Sequence, residues 1–379
     1  MKKRIKSIFI ALCIFGIYLS GFAIEAADKN EKPWHLLEQA KIQMEKKEFG
    51  LALHLTNRAR DIHKEQMEAK YAYMFNALKP KRVRHEGDNI SDVYEILHKR
   101  EDYDACKILD EIFLTHPPIF FDKSISKLMT WLEKRKAFPE TDYLAGQIYF
   151  SEGDYEQAMH YYKEAWKAHK FLEIPDARFN IIYSLADTSK LLHKYDEQEK
   201  YLLLVLTEDP MYGTTNLESD PLQAMIKTIT SEKTTEKFFL LYRNRNPIAL
   251  KAYMDLTEIY SEAGKTRRAL ATAVLASIIT ITNLDDIISK DDYNYEYTEF
   301  ASLLHKLNRK PEVLVWAEKQ NFWRSFMNLA DCLAKNGNIE QASYLYSKLA
   351  ESIPSIKYAQ EAVYKKEQLN KKIFIRADN

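Results

Sequence analysis

Histidine and cysteine are the residues best suited to metal or nucleophilic chemistry. Their spacing in this chain argues against both. The ten histidines are scattered, and His160 and His169, nine apart, cannot share one helix face at metal-ligand range. No Cys-x-x-Cys, phosphate-cradling glycine loop, Gly-x-Ser-x-Gly elbow or His-Glu-x-x-His is present. Cys106 falls where a small packed side chain is wanted, so a buried thiol is its plainest role. Lys79, Lys81, Arg82 and Arg84 could meet an acidic head group or partner. The run is short and lacks an amphipathic helix beside it, which favours a solvated loop. No catalytic group, metal or cofactor is therefore expected, and the chemistry on offer is recognition.

The elements that would position recognition residues show in "YLAGQIYFSEGDYEQAMHYYKEAW", residues 143–166. Apolar residues recur at helical spacing over 140–151 and 155–169, with Gly153-Asp154 between them, which predicts a helix, a tight turn and a second helix. Gly146 and Ala158 permit close approach of two antiparallel helices, and the tyrosines fill the wider spaces on either side. The same twelve-residue spacing recurs at Ala40 and Ala52, Tyr94 and Cys106, Ala186 and Gln198, Thr257 and Ala269, and Ala330 and Ala342. Gly153, Gly264 and Gly337 mark turns, and Pro118, Pro210 and Pro354 end second helices. Gln198 departs from the pattern, because a small residue is expected there.

Gly146, Tyr149, Gly153, Tyr155, Ala158, Tyr162 and Ala165 give the chain its resemblance to the tetratricopeptide repeat, a helix–turn–helix unit of about 34 residues. Leu329, Ala330, Gly337, Ala342, Tyr346 and Pro354 repeat it. The resemblance implies an all-α fold, a right-handed superhelix of antiparallel helix pairs. Degenerate hairpins are expected over 221–243 and 293–320, and single extra helices over 67–78 and 122–136. A capping helix from Ile356, with Ser355 as its cap, closes the array. The resemblance further implies a concave face lined by first helices, offering Tyr143, Gln147 and Phe150, then Tyr183, Asp187 and Lys190, then Met254 and Glu258, then Met327 and Asp331. Chaperone-binding members carry Lys, Asn and Arg there to clamp a carboxylate. Tyr, Met and acids instead suit a protein partner with aliphatic and basic residues.

Few glycines, 9 in 379 residues, and many helix formers agree with an all-helical chain. Lys plus Arg and Asp plus Glu are 55 each, so no nucleic acid partner is expected. Lys2, Lys3, Arg4 and Lys6 precede an apolar run over 8–24, and Gly21-Phe22-Ala23 reads as a signal-peptidase site, giving a signal peptide over 1–23. The 17-residue length of that run also meets the lower limit for an uncleaved anchor, through which alone the chain would touch membrane. Cleavage leaves Cys106 and Cys332, too few for a disulfide framework. The loop at 209–221 divides N-terminal repeats over 31–210 from C-terminal repeats over 221–374, and the segment 283–296 reads as an acidic loop. Signal, size and degenerate repeats together resemble exported spirochaete repeat proteins, including collar proteins of the periplasmic flagellar motor. That implies a periplasmic, non-enzymatic scaffold with envelope or motor proteins as partners. The rivals are a membrane-anchored adaptor in envelope biogenesis, and an enzyme with a polar pocket between repeats.

Overall fold

The computed structural model describes residues 31–78, 90–115, 125–212, 220–231, 235–292, 294–353 and 355–371. The leader, the basic run at 79–84, Pro118 and Pro354 lie outside them. The described chain is all-α, built from helix pairs as the repeat pattern predicts. It divides into two compact units, one ending at Ile181 and one beginning at Ile182. The described residues 209–212 and 220–221, which flank the boundary expected from the sequence, belong to the second.

The first unit begins with α1 (Pro33–Glu45) and α2 (Phe49–Leu78). After these come α3 (Ile90–Lys99), α4 (Tyr103–Thr115), α5 (Ile125–Lys134), α6 (Pro139–Glu152) and α7 (Tyr155–Lys167). The next helix, α8 (Ala177–Leu191), contains the division. Residues 67–78, expected as a separate helix, are instead the second half of the thirty-residue α2. The reason is tertiary. The first half of α2 joins α1 and α6 in one core of Leu36, Leu37, Ala40, Ala52, Ala59, Leu144 and Ile148. Its second half supplies Met67 and Met74 to another core with Val93, Leu97, Leu109, Leu128 and Leu132 of α3 to α5. The hairpin α1–α2 thus stacks directly on α6–α7, and α3 to α5 form a side bundle on the far end of α2.

The second unit continues with α9 (Tyr195–Leu206), α10 (Asp220–Thr230), α11 (Thr235–Leu241), α12 (Pro247–Glu262) and α13 (Thr266–Asp291). It ends with α14 (Phe300–Leu307), α15 (Pro311–Lys319), α16 (Phe322–Lys335), α17 (Ile339–Ser352) and α18 (Ile356–Asn370). Helices α10 and α11, and α14 and α15, fall in the two stretches expected as degenerate hairpins. Pro311 opens α15, where its missing N–H costs nothing. The expected loop at 283–296 is helical up to Asp291. Helix α13 is long and apolar enough to cross a membrane by composition, yet 78% of its most apolar window is buried in the unit. It is a core helix. Its Ser277, Thr280 and Thr282 hydroxyls donate to carbonyls of their own helix, so these three buried hydroxyls are satisfied. Ser355 stands at the N-cap of α18, but its side chain makes no capping hydrogen bond.

Six inter-helix turns share one geometry. Lys47, Glu101, Gly153, His193, Gly264 and Gly337 all have positive φ, from 57° to 88°. Each stands seven residues past the small-position residue of its first helix: Ala40, Tyr94, Gly146, Ala186, Thr257 and Ala330. In each, the next residue's N–H donates to a carbonyl five residues back, as in Asp154 to Tyr149 (2.9 Å) and Asp102 to Leu97 (3.0 Å). This left-handed closure satisfies carbonyls the ending helix would leave open. Gln198, the exception to the small-residue pattern, is buried, and its Oε1 has no hydrogen-bond partner.

Candidate functional site

The first helices of the first unit enclose an open cleft of about 520 Å³. Residues at i, i+3, i+4 and i+7 share a helix face, and the cleft walls follow that rule. Trp34, Leu37, Glu38, Lys41, Met44 and Glu45 come from α1, and Glu140, Tyr143, Leu144 and Gln147 from α6. Ala177 and Asn180 close it from the start of α8, with Glu173 and Ile174 just before them. The α1 and α6 walls stand side by side because Leu36, Leu37 and Ala40 pack against Leu144 and Ile148 below.

Two large apolar side chains are left open at this cleft, Trp34 at 56% exposure and Ile174 at 69%. The carboxylates outnumber the cations. Glu38, Glu45, Glu140 and Glu173 line it against one lysine, and Lys41 is held 2.6 Å from Glu38. Glu140 Oε1 accepts the Glu173 N–H at 2.8 Å, which fixes the segment leading to α8. Its Oε2 is enclosed and has no hydrogen-bond partner among the described residues, and burial raises the Glu140 pKa above the usual carboxylate value. Nearby, Arg135 donates to the Phe171 carbonyl at 2.8 Å and offsets part of that charge.

Tyr143 and Gln147 line the cleft. Phe150 does not line it; its ring packs edge-on against Tyr155, 5.4 Å away, at the end of the hairpin. Trp34, Leu37, Met44 and Glu45 are cleft residues that the sequence reading missed. The same helical spacing in "PWHLLEQAKIQME" marks them, but nothing in sequence says that α1 neighbours α6.

In the second unit the expected open residues are largely engaged. Met254 and Met327 are 3% and 2% exposed and belong to the core, which corrects their assignment to an open face. The expectation of open acids is corrected too. Asp187 pairs with Lys251 at 2.7 Å, and Lys251 also reaches Asp255 at 2.7 Å. Burial pulls the Lys251 pKa down, but Asp255 and Asp187 outweigh it and hold it above the ordinary value. Arg324 bridges Glu258 and Asp255, and Lys365 pairs with Asp331 at 2.5 Å. Asp187, Glu258 and Asp331 are thus each neutralised by a cation from the next helix of the series α8, α12, α16 and α18. Tyr183 also faces inward. Its hydroxyl donates to the Ile248 carbonyl and accepts the Ala252 N–H, and the Lys251 ammonium lies 5.0 Å over its ring. Lys190 is exposed. Cys106 and Cys332 are both buried free thiols, and burial raises both pKa values.

Among the described residues, no three histidines, cysteines or carboxylates group as a metal site would require. The tetratricopeptide repeat family model matches residues 143–168. A protein of Treponema pallidum (strain Nichols), described only as an uncharacterized protein, is 43% identical over 341 residues, spanning 89% of this chain and 90% of its own length. Another so described, from Borreliella burgdorferi, is 20% identical over 225 residues, spanning 55% of this chain and 69% of its own length.

Proposed function

The chain is a tetratricopeptide repeat protein by the match over residues 143–168 and belongs to one family with the Treponema pallidum protein, and from that premise we propose a non-enzymatic protein–protein interaction scaffold exported to the periplasm. Its role would be structural, in an envelope assembly such as the collar of the spirochaete periplasmic flagellar motor. The observation that carries the interaction reading is the first-unit cleft, where Trp34 and Ile174 leave apolar surface open beside unbalanced carboxylates. Such a surface gains by burial against another protein. Export is supported by the charged start and apolar run of residues 1–23. The spirochaete part of that reading is supported by the relatives from Treponema pallidum and Borreliella burgdorferi. A second reading, a membrane-anchored adaptor in envelope biogenesis, is favoured by the length of the apolar run at 8–24, which meets the minimum for a span.

Cross-linking in cells followed by mass spectrometry tests the scaffold reading. Envelope or motor proteins are expected among the products, and their consistent absence would sink it. N-terminal sequencing separates the two readings: a chain starting at Ile24 or shortly after supports release, and intact Met1 in membranes supports the anchor. A collar role further requires that deletion impair motility and cell shape.

A further inference from the structure

We propose that the cleft between α1 and α6 seats a basic amphipathic segment of a partner protein, an apolar side chain flanked by lysine or arginine. This deepens the scaffold reading and rests on it. The cleft volume, about 520 Å³, matches pockets that hold small ligands, so it admits a few side chains and not a folded domain. Trp34 and Ile174 supply an apolar mouth with over half of each side chain open to water.

Charge selects the flanks of the segment. Lys41 is spent on Glu38. Glu45 and Glu173 are exposed at the rim. Glu140 adds negative charge from beneath, its Oε2 enclosed and without a hydrogen-bond partner among the described residues. A cation brought to this rim gains Coulomb attraction, and an exposed indole offers it a favourable face. An acidic segment would meet the same carboxylates at a loss. On the first helices of the second unit Asp187, Glu258 and Asp331 are each paired with a cation. Recognition of a cationic segment therefore belongs to the first unit.

Two labelled synthetic peptides of equal length test this by fluorescence anisotropy with the full chain, one amphipathic in Leu and Lys, the other in Leu and Glu. The Lys peptide is expected to bind, and to weaken when salt is raised to about 0.5 M. Trp34→Ala and Glu45→Lys should each weaken it about tenfold or more, with melting unchanged because both side chains are exposed. Equal binding of the Glu peptide overturns the proposal, as does indifference to both substitutions in folded protein. Photo-cross-linking in cells from positions 34 and 190 separates the two readings. A partner captured through position 34 supports the cleft. A partner captured only through position 190 overturns the cleft and leaves the scaffold standing. Capture through neither, with none by general cross-linking, overturns both.

Discussion

A Cβ at position 146 would lie 2.5 Å from Cδ1 and Cε1 of Tyr162. The Tyr162 ring is buried and cannot swing clear. The close approach inferred at Gly146 is therefore real, but the Tyr162 ring fills it. Gly146→Ala should destabilise the first unit by about 1–3 kcal/mol, the usual cost of overpacking. Urea titration reads this directly, and unchanged stability would mean the hairpin can open at no cost. The turn residues make an opposite prediction. Lys47, Glu101 and His193 hold the left-handed conformation that Gly153, Gly264 and Gly337 hold in the other turns. A side chain there costs about 1–2 kcal/mol, partly offset by the greater freedom of glycine in the unfolded chain. Lys47→Gly, Glu101→Gly and His193→Gly should each raise stability, by about 0.5–1 kcal/mol. A lowered melting temperature in all three would contradict the shared turn geometry.

At the scale of elements, the side bundle meets the repeats through His63 of α2. Its ring stacks 4.3 Å from Phe138, and its Nε2 lies 3.0 Å from the Arg135 carbonyl oxygen. Burial holds its pKa below the ordinary value, against the opposing pull of that hydrogen bond. As pH falls through about 6.5 the unfolded chain takes up this proton first. Stability should therefore fall from above pH 6.5 down through the folded-state value, by at most about 1.4 kcal/mol per pH unit from this group. Glu140 and Asp142 act the other way. Burial raises both, so the folded state binds their protons first and gains stability as pH falls toward their unfolded values. The contribution of His63 is isolated by comparing melting at about pH 7.5 and 5.5 for the native chain and His63→Phe, which keeps the stack. The variant should lose less stability on acidification; equal losses would place the pH sensitivity elsewhere.

At the scale of the whole molecule, hydrogen exchange should follow the separate cores. In the second unit α13 is buried along most of its length, and its Thr280 hydroxyl is hydrogen-bonded to Ser325 of α16 at 2.8 Å. Its amides should exchange only through global opening of that unit. Among the described residues, helices α3 to α5 share a core with the far half of α2 alone, so they should exchange sooner than α6 and α7. Slower exchange in α3 to α5 than in α6 and α7 would contradict this ranking.

Sequence by itself determined the helix pairs. A small residue, a left-handed turn seven residues on and a second small position at twelve are local demands of one tight hairpin, and local demands leave a period in the chain. Three of the turns were legible as glycines. The other three, at Lys47, Glu101 and His193, carry no composition signal and follow only from the count. Tyr143 and Gln147, four residues apart, were legible as sharing one face of a recognisable repeat. Tertiary structure decided the rest. It joined α1 to α6 across the intervening side bundle, which brought Trp34 and Glu45 to the same cleft as Glu140 and Ile174. It also closed Asp187, Glu258 and Asp331 onto Lys251, Arg324 and Lys365. A carboxylate on a helix face reads the same in sequence whether its partner is solvent, a ligand or the next helix. The partner is set by contacts between residues far apart in the chain, and such contacts leave no period to read.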